Sequence, residues 1–93
     1  MKAAKVDANQ AEIVRVLRDC GVSVQSLHDV GKGVPDLLCG YRGQNFLLEI
    51  KDGSKVPSAR LLTPQQQDWH EAWRGQKAIA ETPEQALRVL GLA

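Results

Sequence analysis

The chain has 93 residues, with twelve Lys and Arg against eleven Asp and Glu and a formal net charge of +1. This length allows one domain and excludes a second. Because 43% of the residues are hydrophobic and 25% are charged, the composition is that of a globular domain and not of a disordered chain. The near-zero charge argues against a protein that coats DNA passively through a strongly basic surface.

Neither a membrane span nor a secretory signal is expected. No apolar run approaches the ~20 residues that cross a bilayer, and the opening Met-Lys-Ala-Ala-Lys-Val-Asp lacks an apolar signal region. We therefore expect a cytoplasmic protein without a membrane partner. In that reducing compartment Cys20 and Cys39 are expected to be free thiols.

The predicted elements of the first half are one helix and three strands. Residues 9–20 carry apolar residues at helical spacing and are followed by a glycine, which predicts a helix. Residues 22–27, 34–41 and 45–51 are the predicted strands, separated by a glycine-containing loop over 28–33. Arg42-Gly43 is predicted to be the turn of a hairpin between the last two strands.

The second half begins with a polar loop over 52–60, rich in Gly, Pro and Ser. Thr63-Pro64-Gln65-Gln66 then has the pattern of a helix start, and the helix is predicted to run to about Arg74. Residues 77–81 predict a short strand, and Thr82-Pro83-Glu84-Gln85 begins a final helix. The predicted fold is an α/β domain with a mixed sheet over residues 1–93, in the order α-β-β-β-α-β-α.

The predicted hairpin brings charged residues together. A turn centred between Arg42 and Gly43 places Asp36 opposite Glu49, with their Cβ atoms roughly 5 Å apart. Lys51 lies two residues beyond Glu49 and points to the same face. The opposite face is a predicted core of apolar side chains: Leu37, Cys39, Phe46, Leu48 and Ile50.

Two carboxylates this close repel each other unless a cation lies between them. Oxygen ligands are those that Mg²⁺ and Mn²⁺ prefer, and a lysine beside the metal can orient a water or neutralise charge on a phosphate. The alternative is a cross-strand salt bridge on a solvated face. Because Asp and Glu are poor strand formers, we favour the metal site.

These residues carry a family resemblance. Pro35-Asp36 followed by Glu49-Ile50-Lys51 resembles the PD-(D/E)xK nuclease superfamily, whose core is like that of restriction endonucleases. The surrounding stretches narrow the resemblance to the VRR-NUC branch and to its small stand-alone members from phages and prophages. Those stretches are Gly33-Val34-Pro35-Asp36-Leu37-Leu38, Glu49-Ile50-Lys51-Asp52-Gly53 and Leu62-Thr63-Pro64-Gln65-Gln66.

The resemblance implies a set of site residues. Asp36, Glu49 and the backbone carbonyl of Ile50 would hold the metal, and Lys51 would position the attacking water. A glutamate on the first helix completes such sites, and Glu12 is the candidate.

Two of the implied assignments leave alternatives open. Asp7 and Gln10 are alternatives to Glu12, which equally fits a capping box with Asn9. Gln66 matches the family's catalytic glutamine, but it also fits a capping box with Thr63.

Four basic residues in loops near this site in the sequence are candidate DNA contacts, although scattered basic residues are commonly only a solvated surface. They are Lys32, Arg42, Lys55 and Arg60. Trp69 and Trp73 have the spacing to stack bases, but a place in the core or in an interface is favoured. His70 is expected to be an ordinary surface histidine.

The predicted function is a Mg²⁺- or Mn²⁺-dependent DNA endonuclease without an organic cofactor. Its small surface favours recognition of DNA structure, such as a Holliday junction or a flap, over a long base sequence. A homodimer would place two sites on opposite strands, with Trp73 and residues 87–92 in the interface. The alternatives are a non-catalytic nucleic-acid-binding module on the same fold and a nonspecific DNA or RNA nuclease.

Overall fold

A computed structural model describes residues 7–92 of the chain. Residues 1–6 and residue 93 of the predicted domain lie outside the described part. The opening segment, which is predicted to lack a secretory signal, therefore lies mostly outside it as well. The helices are α1 (Gln10–Asp19), α2 (Pro64–Ala72) and α3 (Pro83–Val89), and the strands are β1 (Ser23–Ser26), β2 (Leu37–Tyr41), β3 (Gln44–Ile50) and β4 (Lys77–Ala80).

The predicted class and order of elements are confirmed, with one addition. A short 3-10 helix, Pro57–Arg60, lies in the segment predicted to be a loop. None of the helices formed within residues 7–92 is both long and apolar enough to cross a membrane.

The four strands form one mixed sheet in the order β1-β2-β3-β4. The β1–β2 and β2–β3 pairs are antiparallel, and β4 joins β3 in parallel after the crossover through α2. The pairs Leu37–Leu48 and Tyr41–Gln44 confirm the predicted hairpin register. Arg42 (φ 51°) and Gly43 (φ 76°) both have positive φ, as a two-residue turn that follows the twist of its strands requires.

The apolar face of the sheet packs against α1 and α3. Leu37, Cys39, Leu48 and Ile50 are completely buried there, as predicted, and Phe46 packs at the margin of this core. The helices contribute Ile13, Leu17, Ala86 and Leu90. Because successive side chains of a strand alternate between faces, the charged residues of β3 point the other way, toward α2.

Both cysteines are free thiols in the described part of the chain, as expected, with Cys20 exposed and Cys39 buried. Burial raises the pKa of the Cys39 thiol to about 11, so it stays protonated and unreactive. Cys39 therefore contributes to the core and not to a nucleophilic site.

The second strand begins three residues later than predicted, at Leu37. Gly31, Lys32 and Gly33 have φ of 70°, 57° and 80°, so the chain before Val34 is coiled and not extended. Asp36 remains tied to the sheet edge, because its carbonyl accepts a hydrogen bond of 2.8 Å from the Leu27 N–H.

The apolar residues at the end of α3 and just after it cover the chain's own core. Leu87, Val89 and Leu92 pack against it, and Leu90 is 6% exposed. Leu87, Val89 and Leu92 remain partly exposed, so an interface over residues 87–92 stays a prediction.

The two tryptophans stack on each other, with ring centroids 4.9 Å apart. Trp73 is 43% exposed, so a place in the core is wrong for it. An interface and base stacking stay as predictions for this residue.

Asn9 joins the start of α1 to the ends of two strands. Its Nδ2 donates to the carbonyls of Lys51 (3.0 Å) and Glu81 (2.8 Å). Within residues 7–92 its side chain makes no capping hydrogen bond to α1, so the capping box of Asn9 with Glu12 is wrong. The amide instead closes the gap between β3 and β4 where the two strands end.

Asn9→Asp distinguishes this tie from a cap. Asp caps a helix as well as Asn does, but it cannot donate to two carbonyls. We expect Asn9→Ala to lower the free energy of unfolding by about 2 kcal/mol, for two lost hydrogen bonds, and Asn9→Asp by more. Urea unfolding measures both. An Asn9→Asp chain as stable as the wild type would contradict the tie.

Candidate active site

A cavity of about 460 Å³ lies at the end of β3, beside the first turn of α2. Asp36, Glu49, Lys51 and Gln66, all predicted site residues, line it together. The loop over 31–34 and the segment around Lys55 form its other walls. The structure therefore brings the predicted catalytic set into one concave place.

The carboxyl groups of Asp36 and Glu49 are close enough to share a hydrogen bond. Asp36 Oδ2 also accepts a hydrogen bond of 2.7 Å from the Ile50 N–H, which fixes it against the last residue of β3. Glu49 is 1% exposed and Asp36 is partly exposed, so a buried carboxyl group meets one on the wall of the cavity. The predicted pairing of Asp36 with Glu49 is thus present in the structure.

Gln66 serves the site and the helix start at once. Its Oε1 accepts from the Lys51 Nζ (2.8 Å) and from the Thr63 N–H (2.9 Å). Its Nε2 donates to Glu49 Oε2 at 3.3 Å, and its own N–H donates to the Thr63 hydroxyl at 3.2 Å. The capping box and the place in the site were alternatives for the sequence, and the structure shows both.

The matching start of α3 makes a different pattern. The Thr82 hydroxyl accepts from the Gln85 N–H at 3.1 Å, but Gln85 Oε1 accepts from the Glu81 N–H at 2.9 Å. The same sequence signal therefore makes a full capping box only in α2, where the glutamine also reaches Glu49 and Lys51.

Burial makes Glu49 hard to ionise. Burial, the hydrogen bond that protonated Glu49 donates to Asp36 and the charge of Asp36 raise the pKa of Glu49 to about 9, against the opposing effect of Lys51. Asp7 adds a smaller repulsion. The neutral form of Glu49 therefore prevails at neutral pH until a positive charge joins the two acids.

His70, expected at the surface, is buried beside Glu49. It is 8% exposed, and its Nε2 lies 3.8 Å from Glu49 Oε1. Burial, with the positive charges of Lys77 and Lys51, lowers the pKa of His70, so the ring is neutral near pH 7. The prediction of a surface position was wrong. Helix α2 lies across the sheet, and His70 lies on the side of α2 that faces Glu49.

The candidates for a further acid are placed differently. Glu12 is exposed on α1, and Gln10 is buried. Asp7, the other alternative, lines the cavity and forms an ion pair of 3.7 Å with Lys55. Of the three, Asp7 is the one that the structure brings to the cavity.

The four predicted DNA contacts separate into two pairs. Lys32 and Lys55 line the cavity. Arg42 stacks over the Tyr41 ring at the hairpin tip, six residues from Asp36 and about 20 Å away along the strand. Arg60 forms a salt bridge of 3.2 Å with Glu81. Two of the four predicted basic residues, Lys32 and Lys55, therefore lie at the cavity.

The turn at Gly33 holds the wall of the cavity against α2. A Cβ built on Gly33 would overlap the Gln65 carbonyl oxygen, so only glycine fits. This close approach sets the position of the first turn of α2, and with it the position of Gln66 over Glu49.

The donor set suits a small, oxygen-preferring cation. Two carboxyl groups adjoin, and Glu49 Oε1 is a buried oxygen that has no hydrogen-bond partner in residues 7–92. No group of three or more His, Cys, Asp or Glu side chains in that same range is arranged to hold a metal ion. Any further ligands would be backbone carbonyls, waters or substrate oxygens, which is usual for Mg²⁺.

Comparisons of the chain with protein-family models, with curated proteins and with solved structures found no match.

Gly33→Ala is expected to lower the free energy of unfolding much more than Gly31→Ala. Both glycines have positive φ, which costs alanine about 1 kcal/mol. Nothing lies within 4 Å of a Cβ at Gly31, whereas Gly33 abuts Gln65. The clash should add about 1–3 kcal/mol. Urea unfolding of the two variants checks this, and equal losses would contradict the close approach.

The pKa of Glu49 predicts a pH dependence of stability in the metal-free chain. Native Glu49 keeps its proton to about pH 9, while an unfolded glutamate releases it near pH 4.5. The native state thus binds more protons in this window, and the free energy of unfolding falls as the pH rises.

Glu49→Gln cannot titrate and should flatten this slope. Urea unfolding from pH 7 to pH 9, above the usual range of histidine titration, compares the variant with the wild type. Other titrating groups are common to both chains, so their effects cancel. Equal slopes would show that Glu49 is ionised in the native state.

Proposed function

We propose that the chain is a Mg²⁺- or Mn²⁺-dependent endonuclease that hydrolyses phosphodiester bonds in DNA. The observation that carries the proposal is the burial of Glu49 beside Asp36, with the Lys51 ammonium held above them by Gln66. A buried carboxyl group beside a second carboxyl group destabilises a fold unless a cation neutralises the pair. A module that only binds nucleic acid gains nothing from this destabilising arrangement, whereas a metal-dependent nuclease needs the two carboxyl groups to bind its cation.

Asp36, Glu49 and the Ile50 carbonyl would hold the cation, and Asp7 would be the nearest further acid. Mg²⁺ in phosphate-processing sites is bound by one or two carboxylates together with waters and substrate oxygens. When bound, such a cation acidifies a water and offsets the negative charge that develops on the phosphate. The resemblance to the VRR-NUC nucleases supports the same assignment.

Lys51 is the cation that lies beside the two carboxyl groups. Its ammonium has three N–H donors, and one of them binds Gln66 Oε1. The others have no hydrogen-bond partner within residues 7–92 and could hold an attacking water or a phosphate oxygen. Gln66 fixes this ammonium in place, so it orients Lys51 and Glu49 without itself meeting the phosphate.

The DNA backbone would pass the cavity mouth between Lys32 and Lys55. The Asp7–Lys55 ion pair is partly exposed, with Lys55 40% exposed, and such pairs are weak in water. A phosphate can therefore compete with Asp7 for Lys55.

We propose branched DNA, such as a Holliday junction or a flap, as the substrate and a homodimer as the active form. The enzyme would act in the cytoplasm, which is that of the host cell if the chain is phage-derived.

Cleavage of labelled DNA tests the function directly. A four-way junction, a flap, a linear duplex and a single-stranded RNA are incubated with the protein and Mg²⁺, Mn²⁺ or EDTA. We expect cleavage of the branched DNA with either metal and none with EDTA. If no substrate is cut with any metal, the proposal is wrong. Preferential cutting of RNA would overturn the choice of DNA.

Variants locate the activity. Asp36→Asn and Lys51→Met are each expected to lower kcat by about 10²-fold or more, because each removes a charge that acts in the transition state. Glu84→Gln and Arg88→Met change the same charges on the exposed face of α3 and serve as matched controls. Near-normal cutting by Asp36→Asn or Lys51→Met would show that the site lies elsewhere.

A further inference from the structure

His70 places a buried nitrogen against the carboxyl group of Glu49. The Nε2 atom lies 3.8 Å from Glu49 Oε1. Both atoms are shielded from solvent, and neither has a hydrogen-bond partner in the described part of the chain. Buried polar atoms are nearly always hydrogen-bonded, so two such atoms facing each other call for a common explanation.

One short movement satisfies both atoms. A hydrogen bond between nitrogen and oxygen needs a separation of about 3.2 Å or less, so the gap closes by well under an ångström. The bond forms in either protonation state of Glu49. An Nε2–H of the neutral ring donates to Oε1 whether Glu49 is ionised or gives its one proton to Asp36.

We propose that His70 is a positioning residue for Glu49, with Nε2 as the hydrogen-bond partner of Oε1. Gln66 holds the other oxygen, Oε2, at 3.3 Å. These two residues are four apart on α2 and therefore share one side of the helix. Together they fix both oxygens of Glu49 and so the plane of its carboxyl group.

The surroundings keep His70 in this orientation. The Trp69 ring meets the His70 ring edge to face, with centroids 5.4 Å apart and an interplanar angle of 77°. A ring held by packing on a helix orients a neighbouring ligand better than a mobile chain does. The consequence for metal binding rests on the nuclease function proposed above, whereas the contact between His70 and Glu49 does not.

Two substitutions distinguish the contribution of the His70 Nε2 atom from that of the packing of the ring. His70→Phe keeps the ring and its contact with Trp69 but removes both nitrogens. His70→Gln gives up the ring and restores a polar end. Thermal unfolding of both variants, without metal, shows whether each one is folded before binding is compared.

The dissociation constant for Mn²⁺, measured by electron paramagnetic resonance, is the main readout. We expect His70→Phe to bind Mn²⁺ about ten-fold more weakly, as is usual when a partner that orients a ligand is lost. His70→Gln should recover most of the affinity. Wild-type affinity in a folded His70→Phe chain would overturn the proposal, and so would a folded His70→Gln chain as weak as His70→Phe.

Cleavage gives a second test. If His70 acts by orienting Glu49 toward the cation, the activity lost in His70→Phe at limiting Mn²⁺ returns when Mn²⁺ is in excess. A loss that excess Mn²⁺ does not restore would overturn positioning in favour of a purely structural role.

The contact is also testable when no metal binds. If the wild type neither binds Mn²⁺ nor cuts DNA, the proposed function fails, and the nitrogen-15 shift of His70 Nε2 in the metal-free protein decides the inference. We expect Glu49→Met, which is close to glutamate in shape, to move this resonance and to leave His28, the other histidine, in place. An unmoved His70 Nε2 resonance in the folded variant would overturn the contact.

Discussion

The meeting of Asp36 and Glu49 under α2 is the constraint on which the rest of the site depends. Glu49 would ionise readily alone in water, but its burial and the charge of Asp36 raise its pKa and oppose ionisation here. Hydrogen bonds from the surrounding groups nevertheless hold the two carboxyl groups in place. The Ile50 N–H binds Asp36, and Gln66 links Glu49 to the Lys51 ammonium. The site is thus a place of stored electrostatic cost that a cation would relieve.

Gln66 shows how local and long-range structure are joined. The capping box is a local device that would form in any helix with this start. In α2 the same side chain also binds Lys51 and Glu49, which lie 15 and 17 residues away in the chain. Whatever moves the start of α2 therefore moves the hydrogen bonds of the site. The close approach of Gly33 to Gln65 limits that movement from the other side.

Much of the fold and the meeting of Asp36 with Glu49 could be predicted from the sequence, because both depend on local patterns. The Arg42-Gly43 turn and the alternation of apolar residues fix the hairpin register, and the register brings Asp36 to Glu49. The roles of Asn9 and His70 could not be predicted in this way. Their partners, Lys51, Glu81 and Glu49, lie far away in the sequence, and a competing local pattern pointed elsewhere: a cap for Asn9 and a polar helix side for His70.

Strand β3 explains why the site is held so firmly. Leu48 and Ile50 lie in the core, and Glu49 and Lys51 alternate with them toward α2. A slip of one residue in the register would turn Glu49 into the core and expose its apolar neighbours. The register that buries the apolar side chains is therefore the one that assembles the carboxyl groups. The hydrophobic energy of one face thus stabilises the costly arrangement on the other, and the Asn9 hydrogen bonds at the strand ends add to it.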